Sequence, residues 1–347
     1  DLSDEVLGAA ARSIDDGLKR QVRSGAIRRV DADRRRSRLL LTTEANDLEG
    51  ADLVVEAVFE DLELKQQVLA EVEERVAENA VFASNTSALP IGKIAAGARH
   101  PERVIGMHYF SPVPKMPLLE IVVAEKTADW ATATAHAFGT AQGKTCIVVK
   151  DGPGFFTTRI LAPYLNEAVL LVEEGARIED VDRAMKDFGY PVGPLALVDE
   201  VGIDVGAHVA QDLGRAFADR GLEGSNAMPR LYEAGLHGRK NGRGFYLYPK
   251  TKKKGKKQVN PKIYVLLGNE PRRSVEVAEI QDRLALLMVN EAVHCLQEGV
   301  ISSPRDGDLG AILGLGFPPF RGGPFRHVDS VGRDSIRGRL EELATHH

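Results

Sequence analysis

The sequence predicts an α/β chain: a doubly wound, largely parallel sheet in residues 1–150, followed by two all-helical units. Three observations predict it. Apolar, β-branched runs alternate with amphipathic stretches as far as "KTCIVVKD", the pattern of strands joined by crossover helices. After "DGPGF" the alternation stops and helical periodicity runs from Phe155 to about Ala218, so residues 151–154 mark a domain boundary. The helical part also repeats itself. "RILAPYLNEAVLLVEEG" (159–175) matches "RLALLMVNEAVHCLQEG" (283–299) at Arg, Asn-Glu-Ala and the closing Glu-Gly, and "GYPVGPLALVDEVG" is paralleled by "GFPPFRGGPFRHVDSVG" with a three-residue insertion. Agreement across a helix and its following turn reads as duplication of one helical unit, each copy burying the other's apolar face.

The elements follow in order. Residues 2–29 carry Val6, Ala10, Ile14 and Leu18 at spacings of four, a helical stripe. The run Leu39–Leu41 has the length of a strand, and "ADLVVEAVFE" is a stronger strand, apolar on both faces as in a parallel sheet. "LELKQQVLAEVEERVAEN" is an amphipathic helix, "AVFASNTS" a strand ending in a polar turn, and "PIGKIAAGA" a short helix. "RVIGMHYF" and "PLLEIVVAE" are strands, "ADWATATAHAFGTAQG" a helix, and "KTCIVVKD" the last strand. This gives a sheet domain at 1–150, a first helical copy at 151–250, a linker at 251–274 centred on "YPKTKKKGKKQVNP", and a second copy at 275–347.

Composition narrows the function. Hydrophobic content of 43% and charged content of 27% fit a folded globular chain. With 45 basic and 50 acidic residues interspersed, net charge is −5, and nothing points to nucleic acid as a partner. Cys146 and Cys295 lie far apart with no metal-ligand spacing, which fits a reducing compartment and argues against zinc. No apolar run is long enough to span a bilayer, and the first residues lack the features of a signal peptide. A cytoplasmic or organelle-matrix location is expected.

Chemistry is expected where strands end, because open α/β sheets bind ligands at their carboxyl edge. "VVEAVFE" ends in Glu60, with Lys65 following; "VFASNTS" ends in Asn85, Thr86 and Ser87; "VIGMHYFSP" brings His108 and Ser111. Glu120 sits between Leu119 and Ile121, so it is expected to be buried and to need a partner. The prolines between His108 and Glu120 exclude one helix carrying both and suggest a segment folded back on itself. A His–Glu pair fixes the imidazole tautomer and raises its basicity for acid–base chemistry; the other reading is a pair that merely pins two strands. Ser87 likewise reads either as a turn and helix cap or as a donor to a substrate oxygen. The lysine run 252–257 reads as a solvated loop, with a docking patch as the lesser alternative. There is no glycine-rich fingerprint after a first strand, and Asp1 would suit the acidic position that takes ribose hydroxyls if a strand, glycine loop, helix and strand preceded it.

Together "VVEAVFEDLELKQQV", "FASNTSALPI", "GMHYFSPVPKMPLLEIV", "GKTCIVVKDGPGFF", "GYPVGPLALVDEVGID", "GRKNGRGFYLY" and "GFPPFRGGPFRHVDSVG" resemble the L-3-hydroxyacyl-CoA dehydrogenases, and more closely the dehydrogenase part of multifunctional fatty-acid β-oxidation alpha subunits. The resemblance implies a Rossmann-like NAD domain, lacking here its first strand, glycine loop and helix, and two 6-phosphogluconate-dehydrogenase-like helical domains. It implies NAD as cofactor, an acyl-CoA substrate, a thiolase partner, and an enoyl-CoA hydratase domain before Asp1 in a longer parent. His108 resembles the catalytic base, Glu120 its carboxylate partner, and Ser87 the serine that bonds the substrate. Asp1, Glu60, Lys65 and Asn85 fall at positions lining the NAD site, and Lys240 in a motif facing the cofactor crevice. Thr158 stands where many members have asparagine, as in the "TTR" of mitochondrial trifunctional subunits. A non-catalytic fragment or scaffold docking a thiolase is the competing expectation, and a dehydrogenase acting on free 3-hydroxy acids or sugars a third.

Overall fold

The computed structural model describes residues 1, 3–217, 225–249, 257–268, 270 and 274–346. It opens with helices α1 (Asp4–Arg23) and α2 (Arg29–Arg36). Ser3 caps α1 by accepting from the Val6 amide, so the predicted helix forms but ends at Ser24. The Leu39–Leu41 run lies outside every strand of the sheet, a correction to its expected strand; its apolar length is right, but among the described residues no ladder takes it up.

The sheet comprises β1 (Leu53–Glu56), β2 (Val81–Ser84), β3 (Val104–Tyr109), β4 (Leu118–Val123) and β5 (Thr145–Lys150), side by side in that order. Helix α3 (Leu62–Glu73) joins β1 to β2, α4 (Ile91–Ile94) precedes β3, and α5 (Asp129–Ala141) joins β4 to β5. Three pairings are parallel, whereas β3 and β4 are antiparallel. The physical reason is the connection: residues 110–117 are too few for a crossover, so the chain returns directly alongside β3. Strand alternation assigns faces. Ile105, Met107, Leu119 and Ile121 meet Ala131 and Ala135 of α5 on one side. Val104, Leu118 and Val122 look to the opposite face, and His108 and Glu120 share their parity.

That second face is covered by helices. α6 (Thr157–Glu173), α7 (Ile178–Phe188), α8 (Pro194–Val201), α9 (Ile203–Ala216) and α10 (Ala227–Glu233) lead to a small hairpin, β6 (Tyr246–Leu247) and β7 (Gln258–Val259). α11 (Lys262–Leu267) follows, and Tyr264 on it accepts from the Ile178 amide. Within the expected linker 251–274, residues 258–267 thus form β7 and α11, which pack against β6, α6 and α10. Most of the lysine run lies outside the described residues; Lys257 sits 3.7 Å over the Tyr246 ring and 3.6 Å from Asp182. The last helices are α12 (Val277–Gln297), α13 (Pro304–Leu315), α14 (Pro324–Val331) and α15 (Arg333–His346).

α6 and α12 pack together through a reciprocal set of ion pairs. Arg159 on α6 donates to Glu291 at 2.6 Å and to Glu298 at 2.6 and 2.9 Å. Arg283 on α12 donates to Glu167 at 2.5 Å and to Glu174 at 2.8 and 2.7 Å. The Arg, the Glu of Asn-Glu-Ala and the Glu of Glu-Gly that repeat in the sequence are the residues that meet.

Candidate active site

Residues 110–117 bring β4 back against β3 so that His108 and Glu120 are register partners. The His108 Nδ1–H donates to Glu120 Oε2 at 2.8 Å. Glu120 is fully buried and the His108 side chain is 9% exposed. Three further donors converge on the carboxylate: the Phe156 and Thr157 amides reach Oε1 at 3.0 and 3.1 Å, and the Thr157 hydroxyl reaches Oε2 at 2.7 Å. These amides belong to the first turn of α6, whose positive end favours an anion. The approach is set by a left-handed turn at Gly154 (φ 70°) and Phe155 (φ 51°). A non-glycine residue there is uncommon and strained. Glu120 thereby has its acceptor sites filled, and Nδ1–H on the carboxylate leaves His108 Nε2 with its lone pair. Phe110 and Phe155 flank the imidazole at ring distances of 4.5 and 6.2 Å.

Ser87 belongs to an adjoining network on the same sheet edge. Glu60 Oε1 accepts from the Thr86 hydroxyl at 2.7 Å, the Ser87 amide at 2.9 Å, the Ser87 hydroxyl at 3.2 Å and the Ala88 amide at 3.3 Å. Burial works against the Glu60 anion, but the Thr86 hydroxyl, the Ser87 amide and Lys65 together hold its carboxyl below the usual range. Lys65 is buried, 2.8 Å from Glu56 and 3.4 Å from Glu60, and Ser84 donates to the other Glu56 oxygen. The Thr158 hydroxyl donates to Ser87 O at 2.9 Å. The first turn of α6 thus joins the two networks, Thr157 reaching Glu120 and Thr158 reaching the Ser87 turn. Asn85 accepts from the Tyr109 amide at 2.8 Å, tying the end of β2 to the end of β3.

Two expected residues stand apart from this cluster in their contacts. Asp1 lies beside Thr42. Lys240 pairs with Asp204 on α9 at 2.8 Å. Its loop is fastened from below by Asp199 on α8, which accepts from the Phe245 and Tyr246 amides at 2.8 and 2.9 Å and from the Tyr248 hydroxyl at 3.0 Å. Burial lifts the Asp199 carboxyl to about 6 against those hydrogen bonds. Sequence reasoning missed Thr157, Phe156 and Asp199. A threonine at a helix start was the available signal for the first; nothing local marked the other two.

The sheet edge carries groups suited to the nicotinamide end of a dinucleotide. Just beyond β1 Phe59 is 85% exposed beside Glu60, whose side chain is 41% exposed, with the polar Asn85–Ser87 turn after the next strand. An open ring face beside polar groups fits the nicotinamide–ribose end. Among the described residues no glycine-rich turn joins a strand to a helix start for the pyrophosphate. Nor do they include a group of His, Cys, Asp and Glu suited to a metal.

Comparison with known proteins agrees along the chain. Residues 1–152 match the 3-hydroxyacyl-CoA dehydrogenase NAD binding domain, and residues 154–248 the 3-hydroxyacyl-CoA dehydrogenase C-terminal domain. The fatty acid oxidation complex subunit alpha of Shewanella amazonensis is 51% identical over 98% of this chain, which spans 48% of that relative's length. The crystal structure of Escherichia coli 3-hydroxybutyryl-CoA dehydrogenase superposes over 100% of this chain and 88% of its own, at 27% identity and a TM-score of 0.84. The (S)-3-hydroxybutyryl-CoA dehydrogenase PaaH1 of Ralstonia eutropha covers 72% of this chain and 89% of its own, at 37% identity and a TM-score of 0.69. By its two matched domains and its 37% identity to PaaH1 over most of that protein's length, the chain belongs to the 3-hydroxyacyl-CoA dehydrogenase family.

Proposed function

We propose that this chain carries the site at which a (S)-3-hydroxyacyl-CoA is oxidised to its 3-ketoacyl-CoA with NAD. The observation that carries the reading is the buried His108–Glu120 pair at the carboxyl edge of the sheet, held by the start of α6. His108 Nε2 takes the proton of the substrate 3-hydroxyl as C3 becomes a carbonyl. Glu120 keeps the imidazole in the Nδ1–H tautomer and stabilises the imidazolium that results. Ser87 would turn its hydroxyl from Glu60 to donate to the substrate oxygen, and Thr158, whose hydroxyl donates to Ser87 O, keeps that turn in place and has lone pairs left to accept from the substrate. Bound NAD supplies the acceptor for the C3 hydride. Asn85, with Phe59 and the turn fixed by Glu60 and Lys65, would lie against its nicotinamide end; Asp1 and Lys240 are assigned to its outer reaches.

The same reading takes the two helical regions as copies of one unit, supported by their repeated residues and reciprocal ion pairs. It takes the chain as the dehydrogenase half of a larger subunit of a fatty acid oxidation complex, supported by the coverage and name of the Shewanella relative; a hydratase domain in that subunit, a thiolase partner and a cytoplasmic location rest on the family resemblance. None of the described helices is long and apolar enough to cross a membrane. The test is NADH formation from 3-hydroxyacyl-CoA by the full-length protein and its His108→Gln variant. The variant should lose roughly 10²–10⁴-fold in kcat. Retained turnover would remove His108 from the mechanism, and a silent wild type would favour a scaffold.

A further inference from the structure

We infer that the apolar cavity between α6, α8 and α9 lodges the far end of the acyl chain, and that the cavity-facing side of α9 sets the chain length accepted. The inference rests on the dehydrogenase reading and gives its substrate class.

The cavity has a volume of about 170 Å³ and is walled by Ala162 and Val169 on α6, Val198 and Val201 on α8, and Val209 and Leu213 on α9. Its polar lining is already engaged. Arg159 and Glu291 bond each other, and Asn166 accepts from the Ser225 amide. A space of this kind suits an apolar guest rather than water, and a dry cavity of about 150 Å³ takes a benzene-sized body of six carbons.

Both walls start at the proposed site. Thr158, Ala162, Leu165 and Val169 form one stripe of α6, since residues three and four apart are neighbours on a helix. Thr158 at its near end bonds Ser87 O, and the other three line the cavity over the next roughly 16 Å of helix. On the other wall, Leu213 would lie 3.1 Å from a Cβ added at Gly154, whose amide donates to Ala88 O beside Ser87. A substrate with C3 between His108 and Ser87 has only methylenes beyond C3 to place, and this cavity is an apolar space whose lining reaches Arg159, next to Thr158, and Leu213, beside Gly154. Allowing about six carbons in the cavity and the first few at the reacting centre, the substrate class is an acyl group of roughly ten carbons.

α9 faces the cavity with Gly206, Ala210 and Gly214. A Cβ added at Gly214 meets nothing within 4 Å, so a larger side chain there enters open space. The experiment measures kcat/KM for 3-hydroxydecanoyl-CoA and 3-hydroxybutyryl-CoA in the full-length protein, its Gly214→Phe variant and an independent Ala210→Leu variant. The ratio of long-chain to short-chain kcat/KM should fall by roughly 30-fold in Gly214→Phe, because several methylenes lose their burial, with a smaller fall in Ala210→Leu. If one variant does not fold, the ratio in the other decides. A ratio unchanged from wild type, whether the two rates hold or drop together, overturns the inference and leaves the dehydrogenase reading standing. No NADH from either substrate in wild type overturns the dehydrogenase reading itself.

Discussion

Helices α6 and α12 begin in different surroundings although their sequences match. The first turn of α6 is driven into the sheet by the left-handed Gly154–Phe155 turn, and its amides and threonines end on Glu120 and Ser87. α12 begins at Glu276 with no side-chain cap and contributes instead its Arg283 to the carboxylates of α6. The contrast continues downstream. Asp199 on α8 is buried under the loop that carries Lys240, whereas Asp329 at the matching place on α14 has its side chain 58% exposed. The packing devices of the two regions are alike; the hydrogen bonds to Glu120 and Ser87 come from the first, while the second lays Gly310 and Gly314 of α13 against Phe156 and Phe110. A helical pair tolerates this division because its stability comes from the shared interface, which leaves the start of α6 free to specialise.

Breaking the contact between sheet and α6 should have the largest effect. Glu120→Gln sets an amide NH₂ against the donors that converge on this side chain and removes the charge behind His108. In the full-length protein kcat should drop by roughly 10²-fold or more with KM little changed. A fall in KM-linked binding alone would show that the pair positions substrate rather than moves a proton.

Next come the two arginines. Arg159→Met removes the cation from beside Glu291, and Arg283→Met does the same to Glu167, the acids being 6% and 12% exposed. Each should cost roughly 3–5 kcal/mol in urea unfolding, as for a broken buried pair. Only Arg159→Met should also lower kcat, because Arg159 follows Thr158 on the turn that meets Ser87. Equal kinetic losses from both would mean that the second region supports the site as closely as the first.

The legible part of the molecule was the part written in local pattern. Strands announced themselves through β-branched runs, and prolines between His108 and Glu120 were enough to suggest a fold-back that became the β3–β4 antiparallel pair. The repeat was legible because Arg, Asn-Glu-Ala and Glu-Gly recur, yet their exchange between α6 and α12 was not, since it depends on how two helices cross. Leu39–Leu41 misled because an apolar run has strand length whether or not a neighbour pairs with it. The elements within 258–267 were not legible because a two-residue strand and a short helix leave almost no periodicity beside a lysine run. Its strand-end position puts Glu60 at a ligand crevice and the family resemblance puts it at the cofactor, while its four donors tie it first to the turn carrying Ser87.

Asp199 sharpens the comparison through pH. Its carboxyl is raised from 3.8 to about 6, chiefly by burial. The folded state therefore holds a proton that the unfolded chain has already lost, and stability falls as pH rises from about 4 through 6. At about 1.4 kcal/mol per pKa unit the full swing is roughly 3 kcal/mol. Asp199→Asn should be less stable than wild type, because its amide faces the Tyr246 and Tyr248 donors, but its unfolding free energy should lack this slope. The gap between the two proteins should be widest near pH 4 and narrow towards pH 7. Asp329→Asn, on the exposed counterpart, should leave the wild-type slope intact; a slope that vanished there instead would misplace the titrating group.

The smallest effects are expected at the helix starts that both regions share. Asp182 accepts from the Leu195 and Ala196 amides at 2.9 and 3.4 Å, and Asp308 from the Phe325 amide at 2.8 Å. In each case a glycine makes the approach, since a Cβ at Gly193 would lie 2.3 Å from the Asp182 carboxyl carbon and one at Gly323 would lie 2.3 Å from an Asp308 oxygen. Asp308→Ala removes one such cap and should cost about 1 kcal/mol, the usual value for a lost cap. Asp182 also accepts from the Tyr246 hydroxyl at 2.7 Å in a buried setting, so Asp182→Ala should cost roughly 1 kcal/mol more. Urea unfolding of the two variants separates the ideas. Equal costs would mean the cap alone matters in both regions, whereas the predicted excess at Asp182 measures what the first region gained by fastening a hairpin to a device the second keeps in its plain form.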